Sequence, residues 1–459
     1  MDIRAPLVSQ VAVPGTVLRT LAATEPALCP VLLDSAAQGP LARFSMLAFE
    51  PRRSLARDSR GRLTAQGMEL VDGGFLDNLE AWYRRESHAR APGIPSLPFM
   101  GGWFVYLGYE MAAEVEANLH LPPAHVPCSA VALRVVHLAV HDAVSNVVYA
   151  ISADGDVAAH ARLVAQLNRA ANFPFQESAQ PLPLEAIAEE APERYLARVR
   201  RAQEHIAAGD IYQANLSRPW RLTLREDVDQ RHIYGALRRS NPAPFAASWR
   251  QGLEFYSSSP ERLMRISGRE ISTRPIAGTR ARLGDAAQDR RDTAELVAHP
   301  KERAEHIMLI DLERNDLGRV CEAGTVRVDE YMITESYAHV HHIVSNVRGT
   351  LRADRSPIEA LRALFPGGTI TGCPKVRCMQ IIATLEGLGR GAYTGSAGWL
   401  GLDGDADFNI LIRTLTVNGR HIELRAGGGI VADSVPEREL EETRAKARGM
   451  LRAFEAPNG

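Results

Sequence analysis

The chain has 459 residues, of which 45% are apolar and 24% are charged, and its formal net charge at pH 7 is -2. These are ordinary values for a globular protein with a sizeable core, and the length predicts two lobes. The balanced charge and the lack of a long basic run give no support for nucleic acid or a membrane surface as a partner.

The N-terminus and the cysteines indicate the compartment. Residues 1–4 open no secretory signal, and no apolar run approaches the roughly 18 residues that a membrane span needs. The five cysteines are scattered, without a CxxC pair or a histidine at zinc-finger spacing. We therefore expect a cytoplasmic protein with neither a zinc site nor a disulfide framework.

Residues 1–180 are predicted to form a β-rich N-terminal lobe. Short apolar or alternating segments, broken by turn residues, predict strands. These segments are residues 31–36, 44–49 and 130–151. Residues 101–109 predict a further strand bracketed by glycines, which is typical of close backbone approach. Residues 75–85 predict a helix.

A polar, proline-bearing stretch at residues 176–191 is predicted to be a linker. Pro192 suits a first helical position, and 3.6-residue periodicity then predicts a helix that stops at Gly209. Strands and helices follow in runs across residues 190–455, the predicted catalytic domain. This pattern predicts an α+β fold with antiparallel sheets flanked by helices. No glycine pattern supports a dinucleotide site or a P-loop.

Two pairs of glutamates stand at i and i+3 on predicted helices, Glu302 with Glu305 and Glu439 with Glu442. This spacing places both carboxylates of a pair on one helix face. Two facing pairs could hold a hard divalent cation such as Mg²⁺ between them. Two solvated acidic faces would give the same spacing, and spacing alone favours that alternative.

The lysines weaken that alternative. The chain contains only three, Lys301, Lys375 and Lys446, against a strong preference for arginine. Such a background leaves lysine mainly where a compact ammonium group is needed. Two of the three adjoin the glutamate pairs. Lys446 also follows Glu442 by one turn on a predicted helix that begins near Pro436.

Glycine-rich segments add candidates for an anion site. Residues 274–280, 365–375 and 426–434 are predicted loops with exposed backbone, and the last contains Gly427, Gly428 and Gly429 in succession. Consecutive amides without side chains suit an anionic group. Together with Arg413, Lys375, Lys446 and the glutamates, they describe a site for a small polyanion bridged to a metal.

A set of motifs in order across residues 190–452 resembles the chorismate-utilising enzymes. The motifs are SPE at 259–261, RPIAGT at 274–279, ERAEH at 302–306, DLERND at 311–316, GTITGCPKVR at 368–377 and the stretch 427–446. The resemblance implies that family's fold, with two intertwined lobes of antiparallel sheets flanked by helices. The N-terminal lobe resembles the family's N-terminal half more loosely.

The resemblance also implies roles for individual residues. Mg²⁺ would be held by Glu305 and Glu442, with Glu302 and Glu439 beside it. The chorismate carboxylates would meet Tyr393, Arg413, Lys446 and the amides of the three glycines. Glu261, His342 and Thr369 would surround the ring and the departing hydroxyl. Lys375 and the residues Ala277, Gly278 and Thr279 complete the expected substrate contacts. A ligand-sensing relative without activity would be expected to lack metal ligands, and all four glutamates are present.

Two positions indicate the nucleophile. Gln213 stands where relatives that add water carry a lysine base, and a neutral amide cannot abstract a proton from water. Ala277 stands where many aminodeoxychorismate synthases carry a nucleophilic lysine, which excludes that covalent route here. Ammonia is therefore the expected nucleophile, and Gln213 is counted among the catalytic residues.

Ammonia as the nucleophile leaves two groups of the family, the aminodeoxychorismate synthases, which serve folate biosynthesis, and the anthranilate synthases, the alternative. The PIAGT form that contains Ala277 is typical of the anthranilate synthases but also occurs in a subclass of the aminodeoxychorismate synthases. Other stretches favour the aminodeoxychorismate synthases. The sequences NPAPF at 241–245, LLDS at 32–35 and FPGGT at 365–369 support that choice. The flanks of Cys373 lack the glycine pattern of a glutaminase nucleophile. We therefore expect a separate glutaminase subunit to supply ammonia.

Overall fold

The computed structural model describes residues 5–37, 39, 41–90, 97–281, 294, 300–336 and 340–455. Nearly all of its strand pairs are antiparallel, and helices cover the sheets, so the predicted α+β class is confirmed. The strands are β1 Leu7–Val11, β2 Val31–Asp34, β3 Phe44–Phe49, β4 Arg53–Asp58, β5 Leu63–Gln66, β6 Gly102–Leu107, β7 Cys128–Val135, β8 His137–Asp142, β9 Val147–Ser152, β10 Leu182–Glu189, β11 Gln213–Leu224, β12 Phe245–Trp249, β13 Glu254–Ser259, β14 Arg262–Ser267, β15 Glu270–Arg274, β16 Ile276–Ala281, β17 Arg327–Ser336, β18 Val340–Thr350, β19 Gly372–Cys373, β20 Ser396–Gly401, β21 Ala406–Asn409, β22 Thr414–Asn418, β23 His421–Ile430 and β24 Phe454–Glu455.

The described residues form the following helices, most of which are amphipathic. They are α1 Val17–Thr24, α2 Phe75–Glu86, α3 Ala112–Val115, α4 Val157–Asn172, α5 Pro192–Ala207, α6 Ile233–Ser240, α7 Pro300–Gly318, α8 Pro357–Leu364, α9 Lys375–Glu386 and α10 Pro436–Leu451. The predictions of α2 and α5 are confirmed. Within the described residues, no helix is both long and apolar enough to cross a membrane.

Two large sheets organise the chain. The first has 13 strands in the order β1-β9-β8-β3-β2-β12-β13-β22-β23-β11-β10-β24, with β19 on β11. The second has 11 strands in the order β16-β18-β15-β14-β21-β20-β6-β7-β4-β5, with β17 on β18. Each sheet contains strands from before residue 180 and from after residue 190. The predicted boundary between the N-terminal lobe and the catalytic domain, at residues 180–190, therefore does not separate the two sheets.

The two sheets face each other across an aromatic core. Phe104 and Tyr106 of the second sheet pack with Trp249 and Phe255 of the first, and all four side chains are buried. Helices α1, α4 and α6 cover the outer face of the first sheet, and α2, α7 and α8 cover the second. Strands such as β6 and β7 are apolar along nearly their whole length, which lets the sheet be buried on both faces.

Strand β6 confirms the expected close approach of backbones. A Cβ atom at Gly102 would lie 2.0 Å from the carbonyl oxygen of Leu400 on the neighbouring β20. The predicted linker at 176–191 is wrong in part, because it contains β10, which pairs with both β11 and β24. Its exposed, alternating residues did not distinguish a strand near the sheet edge from a loop.

A buried ionic cluster ties α9 to β11 and β23. The Glu386 carboxylate accepts hydrogen bonds from Arg390 at 2.7 Å, from Arg425 at 2.8 Å and from the Ser217 backbone N–H at 2.8 Å. The two guanidinium groups and the carboxylate are at most 3% exposed. Burial acts to raise the pKa of Glu386, but the two arginines outweigh it and hold the pKa below its usual value.

Replacing Glu386 by glutamine should strongly destabilise the fold. The variant leaves two buried guanidinium groups without a counter-charge, which costs roughly 3–5 kcal/mol. Urea denaturation followed by circular dichroism measures the loss. The matched control is Glu185→Gln, which removes an exposed partner of Arg420 and should change stability by less than about 1 kcal/mol. Equal denaturation midpoints for the two variants would contradict the role of the cluster.

Candidate active site

Glu261 lies at the centre of the candidate site, in the turn between β13 and β14. Its side chain is 4% exposed, and its Oε1 atom makes no hydrogen bond to any described residue. Burial raises the pKa of Glu261 to about 7, while the Thr369 hydroxyl, the Ile276 backbone N–H and the charges of Arg413 and Lys446 act to lower it. A carboxyl group of this kind can hold a proton at neutral pH and donate it.

Thr369 is presented by a short 3-10 turn, Gly368–Ile370. The Thr371 hydroxyl donates to the carbonyl oxygen of Gly367 at 2.9 Å, and the Asn215 amide donates to the carbonyl oxygen of Thr369 at 3.2 Å. Arg390 donates to the carbonyl oxygen of Ile370 at 3.2 Å. These bonds fix the turn, so the Thr369 hydroxyl stays next to Glu261.

Gly427, Gly428 and Gly429 form part of strand β23, so the prediction of a loop here is wrong. They pair in register with Ser217, Leu216 and Asn215 of β11. A Cβ atom at Gly427 would lie 2.3 Å from the carbonyl oxygen of Leu216, and one at Gly429 would lie 2.0 Å from the Gln213 side-chain nitrogen. The three glycines therefore allow β23 to pack closely against β11, whereas glycine runs more often form turns.

The opposite face of this strand carries the second glutamate pair. Glu442, Glu439 and Lys446 of α10 all approach Gly428, with side-chain atoms 3.4 to 3.6 Å from where its Cβ atom would be. The Lys446 ammonium binds Glu442 at 2.7 Å and the carbonyl oxygen of Gly427 at 2.9 Å. Two carboxylates and one ammonium thus meet over a surface that glycine leaves open.

The first glutamate pair lies on α7. The Glu305 side chain is partly buried, and the side chain of Glu302 lies outside the described residues. Helix α7 packs against the 368–370 turn, and the same turn contacts β23, on which α10 packs. The 368–370 turn and β23 therefore connect the two acidic helices.

The donor set fits a hard cation, because carboxylate oxygens are the ligands that Mg²⁺ prefers and those of Glu439 and Glu442 converge at Gly428. Among the described residues, one group of three possible metal ligands has its ligand atoms within 4.8 Å of one another. It lies elsewhere and consists of His137, Asp154 and Asp156.

Tyr393 and Arg413 border the same region. The Tyr393 hydroxyl lies 2.9 Å from the Cβ position of Gly427, and its ring faces the guanidinium groups of Arg390 and Arg425. Burial raises the pKa of Tyr393 to about 12, so its hydroxyl is a hydrogen-bond donor at neutral pH. Arg413 has a φ of +51° and directs its charge towards Glu261.

Gln213 begins β11 beside these residues. Its side chain is 6% exposed, and its Oε1 atom has no hydrogen-bond partner among the residues that the structure describes. The amide nitrogen packs over Gly429. A buried acceptor without a donor suits a small ligand that carries N–H or O–H groups.

Strand β16 brings the backbone of three further predicted residues close to Glu261. Ile276 donates to Glu261, and Ala277, Gly278 and Thr279 follow it directly. Gly278 has a φ of +70° at a bulge, and Thr279 pairs with the buried His342 of β18. The side chains of Ala277 and Thr279 lie outside the described residues.

Lys375 has a different environment from the one predicted. Its ammonium binds Asp316 at 2.5 Å and the carbonyl oxygen of Leu364 at 3.3 Å. Sequence analysis assigned no role to Asp316, Glu313 or Glu386, although the first two lie in the DLERND motif. A helix was compatible with either exposed or buried side chains at Glu313 and Asp316, and only the packing of α7 decides between exposure and burial.

Comparisons with known proteins identify the family. The sequence pattern of the chorismate binding enzyme family matches residues 33–452. Anthranilate synthase component 1 of Streptomyces coelicolor is 44% identical over 84% of this chain and 78% of its own length. Aminodeoxychorismate synthase component 1 of Bacillus subtilis is 37% identical over 93% of this chain and 91% of its own length.

Solved structures share the fold. Anthranilate synthase component I from Streptococcus pneumoniae superposes with a TM-score of 0.79 at 29% identity, covering 90% of this chain and 93% of its own. The menaquinone-specific isochorismate synthase from Escherichia coli gives 0.73 at 20% identity, covering 99% and 96%, which supports the fold alone. The match over most of the length places the chain in this family: it is a chorismate-utilising enzyme.

Proposed function

We propose that the chain is the large component of an aminodeoxychorismate synthase, which aminates chorismate with ammonia to give 4-amino-4-deoxychorismate. The observation that supports amination as the reaction is the buried side-chain amide of Gln213, whose oxygen has no hydrogen-bond partner among the described residues. This oxygen can accept a hydrogen bond from ammonia, which needs no strong base to act as a nucleophile. A side chain that activates water would have to take up a proton, and a neutral amide does not.

Glu261 supplies the acid for the first step. The ammonia nitrogen forms a bond to ring carbon C2, both ring double bonds shift along the ring, and the C4–O bond breaks. The departing hydroxyl takes the proton of Glu261 and leaves as water. The new amine then loses a proton, which restores the acid. Burial raises the pKa of Glu261 to about 7, so the acid form is well populated at neutral pH.

A second ammonia then forms a bond to C4, both ring double bonds shift back, and the C2–N bond breaks. The incoming nitrogen loses a proton and the departing amine gains one, so the amine leaves as ammonia. The overall reaction consumes one chorismate and one ammonia and releases one water. Because Ala277 carries no amine, the intermediate stays noncovalent.

Charge complementarity supports chorismate as the substrate. Chorismate carries two carboxylates, and Arg413 and Lys446 are both near enough to lower the pKa of Glu261. The Tyr393 hydroxyl adds a donor at Gly427. We propose that Glu302, Glu305, Glu439 and Glu442 hold Mg²⁺. When bound, the ion would neutralise a substrate carboxylate.

Anthranilate synthase is the second candidate, and the names of several relatives favour it, including the protein of Thermus thermophilus at 40% identity over 92% of both chains. The two products differ in whether the enolpyruvyl group is kept. The environment of Asp34, in the LLDS sequence, supports the first candidate. Its buried carboxylate accepts from Ser45 and Tyr234 at 2.7 Å and from Arg238 at 2.9 Å. These three donors occupy the acid within the fold, which favours a structural role for it over the binding of an effector's ammonium group.

The product decides between these candidates. The pure chain, incubated with chorismate, Mg²⁺ and an ammonium salt, should form 4-amino-4-deoxychorismate. Adding the lyase that releases 4-aminobenzoate should then yield that compound, measured by chromatography. The control omits the lyase. Anthranilate fluorescence as the main signal, with or without the lyase, would assign the second function instead.

The metal proposal predicts the effect of Glu442→Gln. Loss of an inner carboxylate should lower Mg²⁺-dependent turnover by at least about a hundredfold. The thermal unfolding midpoint should change little, because the Glu442 side chain is 51% exposed. The neighbouring Glu441→Gln, whose side chain is 65% exposed, is the matched control and should keep full activity. Full activity in Glu442→Gln would mean that α10 carries no metal ligand.

The nitrogen source tests the proposed partner. With glutamine in place of ammonium, the chain alone should give no product, and adding a glutaminase subunit should restore turnover. Ammonium in the same buffer is the positive control for an active large component. Glutamine-dependent product from the chain alone would show that it contains a glutaminase site of its own.

A further inference from the structure

Asn215 carries a buried hydrogen-bond acceptor that has no part in the proposed reaction. It lies on β11, two residues after Gln213. The side-chain oxygens of both residues, Asn215 Oδ1 and Gln213 Oε1, are buried and have no hydrogen-bond partner among the described residues. Leaving a buried acceptor unsatisfied costs roughly 1–3 kcal/mol. Two such oxygens on one strand therefore suit a ligand that brings two donors.

The side chains of Gln213 and Asn215 meet on one face of the sheet. Successive side chains of a strand alternate between the two faces, so residues two apart share a face. Asn215 pairs directly with Gly429 of β23. A Cβ atom at Gly429 would lie 2.0 Å from the side-chain nitrogen of Gln213 and 3.0 Å from its amide carbon. The Gln213 amide therefore occupies the space opposite Asn215 that a side chain at position 429 would fill.

Hydrogen bonds hold Asn215 in place and determine which atom of its amide is left over. The side-chain nitrogen donates to the carbonyl oxygen of Thr369 at 3.2 Å. A carbonyl oxygen only accepts, so this bond requires the nitrogen on that side of the amide and the Oδ1 atom on the other. The backbone N–H of Asn215 donates to the carbonyl oxygen of Thr371 at 2.8 Å, and Arg390 donates to the carbonyl oxygen of Asn215 at 2.7 Å. The Oδ1 atom therefore stays available to a donor from a ligand.

The bond to Thr369 also joins Asn215 to the proposed acid. The Thr369 hydroxyl interacts with the carboxyl group of Glu261. Asn215 thus contacts the residue that contacts the proton donor. Its free oxygen therefore belongs to the candidate active site and not to a separate part of the core.

We infer that Asn215 and Gln213 together bind the ammonia, each accepting one N–H with its side-chain oxygen. Ammonia has three N–H donors and one lone pair, so these two bonds leave the lone pair free to form the bond to C2. Both amides are neutral acceptors and take up no proton, so the molecule that they hold is neutral ammonia. This site rests on the proposed function, because it requires ammonia to be the nucleophile.

Steady-state kinetics of Asn215→Ala test the site. Chorismate consumption is measured at one pH while ammonium chloride is varied at constant ionic strength. Loss of one hydrogen bond should raise the KM for ammonia by up to about tenfold and leave the KM for chorismate unchanged. Asn215→Val also lacks the acceptor and has a side chain that suits a strand, so it should give the same rise and is a second variant if Asn215→Ala folds poorly.

Asn215→Asp separates the acceptor from the bond that fixes the turn. It keeps acceptor oxygens but loses the N–H that donates to Thr369, so its KM for ammonia should stay closer to the parent value than that of Asn215→Ala. The control is Thr223→Val, which removes a hydroxyl near the other end of β11, whose contact with His421 is exposed, and should leave both KM values unchanged.

Two results would overturn the inference. A merely structural role for Asn215 would lower kcat in all three variants and leave the KM for ammonia unchanged. A rise in the KM for chorismate alone would mean that a substrate hydroxyl, and not ammonia, is the donor to Asn215.

The measurement also separates this inference from the proposed function, because chorismate consumption does not depend on which amino product forms. A raised KM for ammonia in a chain that makes anthranilate would keep the ammonia site and remove only the proposed product. Ammonia-dependent consumption with an unchanged KM in Asn215→Ala and Asn215→Val would keep amination and remove the site. Consumption that does not depend on ammonia would overturn both.

Discussion

The antiparallel ladder between β11 and β23 is the interaction on which the rest of the site depends. It aligns Gln213 at the start of one strand with the glycine run of the other, close enough that a side chain at Gly429 would overlap Gln213. The outer face of the same run accepts α10, with Glu439, Glu442 and Lys446 over Gly428. This pair of strands therefore positions Gln213, the candidate partner of the nucleophile, on one face and the candidate metal ligands Glu439 and Glu442 on the other.

The charged groups around two buried glutamates near this ladder explain why their pKa values differ. Beneath it, Glu386 is fully matched by Arg390 and Arg425, so its pKa stays low and the cluster is structural. Glu261 is buried without such a partner, and its pKa is raised to about 7. The same residue type is thus a structural anchor at one place and the proposed proton donor at another, according to the number of cations that face it.

Local patterns in the sequence predicted the elements that depend on local physics. Helix α5 follows from Pro192 and its apolar periodicity, and the i, i+3 spacing correctly placed Glu439 and Glu442 together because it is a property of any helix. The α+β class followed from the order of strands and helices.

The errors concern long-range packing. The run at Gly427 is a strand because it pairs with β11, some two hundred residues earlier, and its residues are glycines because Leu216 and Gln213 leave no space for side chains. Strand β10 was taken for a linker because its partners lie at residues 213–224 and 454–455. Lys375 faces Asp316 because α7 and α9 bring them together, and its spacing from other motifs held no information about that pairing.

We propose that chorismate conversion depends on a proton that Glu261 donates, whichever amino product follows. The most direct test is the rate of chorismate consumption by Glu261→Gln in Mg²⁺ and ammonia, compared with Glu270→Gln, an exposed control on β15. Loss of a general acid should slow Glu261→Gln by about a hundredfold to ten-thousandfold and leave the control unchanged. Consumption by Glu261→Gln at the rate of the parent protein would contradict the account.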